Sequence, residues 1–112
     1  MANIVMSPEA ERDLEQVGDY IARQSGSQKT ALNTIRKIKA RIYELENFPL
    51  IGTLLSSLAA VDTDYRFLGC GSYLAFYHCN NNDVLIDRIL HCKQDYIFVL
   101  LGDLANEDDF LG

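Results

Sequence analysis

Residues 65–92 read YRFLGCGSYLAFYHCNNNDVLIDRILHC, and this stretch decides the fold. It divides into three runs, Tyr65 to Cys70, Ser72 to Cys79 and Val84 to Cys92, rich in the β-branched, aromatic and aliphatic residues that suit a pleated, half-buried surface. The breaks between them, Gly71-Ser72 and Asn80-Asn81-Asn82-Asp83, are turn formers. Connections this short join only antiparallel neighbours, so the spacing predicts a three-stranded meander.

Toward the N-terminus the periodicity changes from two to about 3.6. Ala31, Ile35, Ile38, Ile42 and Leu45 recur at spacings of four and three, which predicts a helix starting near Ser27 and stopped by Asn47-Phe48-Pro49. Lys29, Arg36 and Lys37 fall opposite the apolar stripe, and Lys39 and Arg41 flank it. An earlier helix carries Ala10, Leu14, Val17 and Ile21 on one side. It is entered through Ser7-Pro8-Glu9, with a serine to cap, a proline for the first helical position and an acid for the dipole, and it ends at Ser25-Gly26. Its acids are read as an outer, solvated surface. Asn3 to Met6 reads as a short strand, and residues 48–63, with Pro49, Gly52 and Ser56-Ser57, as an irregular crossing segment. The sum is an α+β domain: an N-terminal strand, an antiparallel two-helix hairpin, then a three-stranded antiparallel meander, with the helices on one face of the sheet.

Composition bounds what such a domain can do. The chain has 112 residues, enough for one core, and is 48% hydrophobic and 23% charged, as ordinary globular proteins are. Met1 to Met6 lacks the basic start of a secretory signal and no apolar run approaches a membrane span, so a cytoplasmic location and no membrane association are expected. Cys70, Cys79 and Cys92 are odd in number and show no metal-ligand spacing, which predicts reduced, mostly buried thiols and neither a metal nor a cofactor. The net charge of −6 is unevenly divided: −4 over residues 1–22, +6 over 23–41 without a single acid, and −8 over 42–112. A local cationic surface on the second helix is therefore expected within a molecule whose overall field repels polyanions, and no binding of free nucleic acid is expected.

Several segments, in order, carry a resemblance. Phe48-Pro49-Leu50-Ile51-Gly52 follows the second helix, Tyr65-Arg66 opens the meander, Tyr73 to Tyr77 lies in its second strand, and Arg88-Ile89-Leu90-His91 precedes Asp95-Tyr96. With the order of elements, these make residues 3–101 similar to the RelE/ParE toxin superfamily, and the Arg-Ile-Leu-His run places the chain nearer the ParE-like, plasmid-stabilisation branch. Residues 102–112 remain as an acidic C-terminal tail, read as disordered, with folding back onto the second helix as the alternative. The resemblance implies the toxin component of a type II toxin–antitoxin system that inhibits growth and is neutralised by a cognate antitoxin, as a homodimer or as a heterotetramer with it.

Two activities follow from the resemblance. ParE-like members bind a protein target, DNA gyrase, without catalytic residues, whereas RelE-like members cleave mRNA at the ribosome. Cleavage through the 2′-hydroxyl needs a proton acceptor, a cation at the phosphate and a donor to the leaving oxygen. The residues that would supply these are Arg66 as the cation, His91 as base or acid, Lys93 as added charge and Tyr96 as donor or base-orienting ring. Their plainer readings are ion pairs of Arg66 and Arg88 with Asp64 or Asp87 and a structural role for His91. Tyr73, Phe76 and Tyr77 read as core and edge packing. Residues 42–112 hold three cations among eleven acids, and no lysine pair lies between the second helix and Arg66, where RelE carries catalytic lysines. Both departures favour a non-nuclease, ParE-like toxin over the nuclease, with an inactive antitoxin-binding remnant as the third reading. An acidic antitoxin segment would find its counterpart in Lys29, Arg36, Lys37 and Arg41.

Overall fold

The computed structural model describes residues 1–57 and 63–93. Its elements are β1 (Asn3–Met6), α1 (Pro8–Ser25), α2 (Gln28–Tyr43), β2 (Thr53–Leu54), β3 (Arg66–Cys70), β4 (Tyr73–Asn80) and β5 (Asp83–His91), with single 3₁₀ turns at Glu44–Glu46 and Leu55–Ser57. Capping sets the helix limits. The Ser7 hydroxyl accepts from the Ala10 amide at 3.0 Å with Pro8 in the first turn, and Gly26 closes α1 at φ +67°. Ser27 then caps α2 by accepting from Thr30. Both hairpin turns of the meander put a positive φ at their first residue, Gly71 (+64°) and Asn81 (+57°), as two-residue loops between twisted strands require.

The five strands lie in the order β1-β5-β4-β3-β2. The meander β3-β4-β5 is antiparallel as the short connections predict, and β2 adds an antiparallel edge within the segment read as irregular. β1 pairs with β5 in parallel, so the sheet is mixed. A parallel neighbour needs a long crossover, and the helical hairpin provides one.

Both helices lie on one face, where Leu14, Val17, Ile38, Ile42 and Leu45 meet Leu68, Ala75, Tyr77, Val84, Ile86 and Ile89. On the opposite face Leu55, Phe76 and Leu90 form a smaller buried cluster with Tyr65, Phe67 and Leu74. Phe76 and Tyr77 are consecutive and both fully buried because the sheet is covered on both sides here. Along β5 the alternation slips: Tyr77 pairs with Ile86 and Phe76 with Arg88, leaving Asp87 as the extra residue of a bulge. Val84 and Ile86 face the helices before the bulge, and Ile89 does so after it.

Candidate functional site

The cationic surface of α2 is present. Lys29, Arg36, Lys37 and Lys39 are exposed. Arg41 differs from them: its Nε donates to the Gly69 carbonyl and its Nη1 to Glu44, each at 3.0 Å, tying the last turn of α2 to β3. The contact borders a cleft of about 640 Å³ between α2 and the β3–β4 turn, whose walls include Lys37, Ile38, Ala40, Arg41, Tyr73 and His91. One residue of the nuclease set and two of the antitoxin set therefore share one cavity, although they lie in different elements.

Among the described members of the nuclease set, Arg66 and His91 are not brought together. Arg66 pairs with Tyr77 and His91 with Tyr73, on strands flanking β4. Two strand spacings across and four residues along the sheet put them about 16 Å apart. Arg66 Nη1 donates to the carbonyls of Gly52 (2.9 Å) and Leu50 (3.3 Å), holding the segment before β2. His91 sits edge-on to Tyr73 at a ring separation of 5.2 Å, and its Nδ1 accepts from the Lys93 amide at 3.0 Å. The neutral ring therefore carries its proton on Nε2. The Lys93 side chain belongs to an exposed residue beyond β5. Tyr96, the 101/102 boundary and the acidic tail lie outside the described residues.

The sequence reading does not find one buried polar constellation among the described residues. Asp13, read as one of the solvated acids of α1, is 7% exposed and accepts from Arg88 at both oxygens, Nε at 2.8 Å and Nη2 at 3.1 Å. Its Oδ2 also accepts the Ile89 amide at 2.9 Å. Among the described residues β1 pairs with β5 only as far as Ile86, and beyond that point the Asp13 carboxylate serves as acceptor for a β5 amide. The signal available was position: Asp13 stands three residues after Ala10 and beside Leu14, inside the apolar stripe. Arg88 thus pairs with α1, 75 residues away, where Asp64 or Asp87 was the expectation. Asp87 instead meets His78 Nδ1 at 2.7 Å, and the His78 ring stacks on Tyr65 at 4.7 Å. As consecutive strand residues, His78 and Cys79 point to opposite faces.

The thiols divide by position. Cys70 is buried, Cys79 half-buried and Cys92 exposed, which corrects the expectation for Cys92. Burial pushes the Cys70 thiol from 9.0 up to about 11, partly opposed by the Arg41 charge. It is therefore a packing group and no nucleophile. The unfolded chain releases this proton near 9 and the folded chain near 11, so the folded state holds more protons between them and stability falls as pH rises through that window. Cys70→Ala should flatten the slope of denaturation free energy between pH 9 and 11 by about 2–3 kcal/mol in total. An unchanged slope would show that Cys70 is not the group responsible. Among the described residues no group of three or more His, Cys, Asp or Glu side chains is placed to hold a metal ion, and no helix is long and apolar enough to cross a membrane.

A sequence model of the ParE toxin of the type II toxin–antitoxin system parDE matches residues 4–96. The chain belongs to the ParE toxin family. The match runs from β1 through every described element, in agreement with the resemblance carried by the ordered motifs. Among solved structures the ParE-family chain is similar to one titled as a chromosomal ParDE toxin–antitoxin system from P. aeruginosa, with a TM-score of 0.69 at 19% identity, covering 81% of this chain and 96% of that one. At that identity the likeness concerns the fold. No curated protein sequence matches the chain.

Proposed function

We propose that this ParE-family protein is the toxin of a type II pair that arrests growth by binding a protein target such as DNA gyrase, without RNA cleavage, and that a cognate antitoxin holds it inactive. The observation that carries this reading is the spacing of Arg66 and His91, about 16 Å apart on opposite sides of β4. A phosphoryl transfer site needs its cation and its base within hydrogen-bond reach of one phosphate. Arg66 is also committed to the carbonyls of Leu50 and Gly52. The −8 carried by residues 42–112 adds a field that opposes ribosomal RNA. Lys29, Arg36, Lys37 and Arg41 are the antitoxin-facing residues in this reading, with α2 as the complementary surface for an acidic segment that folds on contact.

Induction of the chain with and without the neighbouring reading frame tests it. Growth arrest relieved by the neighbour, loss of gyrase supercoiling by purified protein and no translation-dependent mRNA cleavage are the expected results. Cleavage at the ribosome that vanishes in Arg66→Ala would establish the nuclease instead, and absence of arrest would leave an inactive remnant.

A further inference from the structure

In its C-terminal half the cationic surface of α2 borders the cleft against the β3–β4 turn, through Lys37 and Arg41. Lys29 and Arg36 stand on the outer face, whereas Lys37 and Arg41 form the lip of the cleft. The acid at this lip, Glu44, is already bonded to Arg41, so the recess is left with an excess of positive charge. Arg41 is also held in place: two of its five N–H donors are spent on Glu44 and the Gly69 carbonyl, which fixes the guanidinium before any partner arrives. The rest of the lining is mostly apolar, with Ile38, the exposed Ala40 and Tyr73, and it includes the polar Thr34 and Ser72 and the ring of His91, whose Nδ1 is occupied. A lip of cations over an apolar floor matches a segment that presents a carboxylate beside an apolar side chain.

We propose that this cleft seats an acidic, amphipathic segment of the antitoxin, with a carboxylate between Lys37 and Arg41 and an apolar side chain over Ile38, Ala40 and Tyr73. The proposal rests on the toxin–antitoxin reading above and narrows it, because it assigns the specific contact to the C-terminal half of α2. The chain as a whole is anionic, so an acidic partner gains nothing from the long-range field and depends on this local recess.

The test titrates the purified product of the neighbouring reading frame into the full-length protein and three variants, with thermal melts to confirm that each is folded. Lys37→Glu reverses the lip charge, and Ala40→Trp fills the cleft without altering charge. Arg23→Glu makes the same charge change in the last turn of α1, away from the cleft. Lys37→Glu should weaken binding by about thirtyfold and Ala40→Trp by about tenfold, with Arg23→Glu within about threefold of wild type. Equal losses in Lys37→Glu and Arg23→Glu, or wild-type affinity in both cleft variants, would overturn the cleft assignment while leaving the pairing intact. No binding by the unaltered protein would overturn both. Removal of residues 103–112 adds the remaining arm: a Lys37→Glu effect that vanishes in the truncated chain would identify the chain's own acidic tail as the occupant and overturn the proposal.

Discussion

Replacing Asp13 with alanine should lower the unfolding free energy by about 3–5 kcal/mol, the largest effect of any polar substitution in the described residues. The carboxylate is 7% exposed and accepts three hydrogen bonds, two from Arg88 and one from the Ile89 amide. Its removal takes two hydrogen bonds from a guanidinium that is 20% exposed and deprives the Ile89 amide of this acceptor, and the desolvation of those groups dominates over the lost attraction. The double replacement Asp13→Leu with Arg88→Met should recover most of the loss, because both members of the ion pair are then removed together. Urea denaturation of the single and double variants decides the matter. A single-variant loss under about 1 kcal/mol would show that water reaches the pair, and a double variant no better than the single would show that shape, not charge, is what Asp13 contributes.

Gly52→Ala should be the second most damaging change, at about 2–3 kcal/mol. A Cβ built there would stand 2.5 Å from the Tyr77 hydroxyl, 2.7 Å from its ring and 2.8 Å from the Phe67 carbonyl. The carbonyl belongs to β3 and Tyr77 is fully buried, so neither yields as the end of a flexible side chain would. Gly52 also donates its amide to the Tyr77 hydroxyl at 2.9 Å and lends its carbonyl to Arg66, so pushing it outward breaks both contacts. Tyr77→Phe removes one of the three clashes and should rescue Gly52→Ala only in part. Full rescue in a denaturation series would mean that the hydroxyl alone sets the tightness of this approach. Because β2 and the exposed Leu50 and Ile51 hang from Gly52, limited proteolysis should report loosening of the same segment before global unfolding.

The two substitutions differ in how far the sequence could foresee them. Gly52 stood in the motif that carried the family resemblance, and its role as a point of close approach follows the usual reason for a glycine between packed elements. Asp13 was misread because five acids against one arginine made residues 1–22 look uniformly solvated. A count of charges says nothing about which face of a helix each occupies, whereas the wheel position of Asp13 does.

What the sequence determined by itself was local. Helix limits followed from Ser7, Gly26 and Ser27, strand limits from Gly71-Ser72 and the asparagine run, and the cationic face of α2 from its period, because each depends on neighbours within a few residues. Element order and motif order together were enough for the family. Tertiary structure alone decided the rest: β1 beside β5 in parallel, the bulge at Asp87, the pairing of Asp13 with Arg88, and the distance between Arg66 and His91. Each joins residues far apart in the chain, and no local propensity records which distant partner will be met. The gap between Arg66 and His91 bears most on function, since residues close in a motif list need not be close across a sheet, and chemistry depends only on the latter.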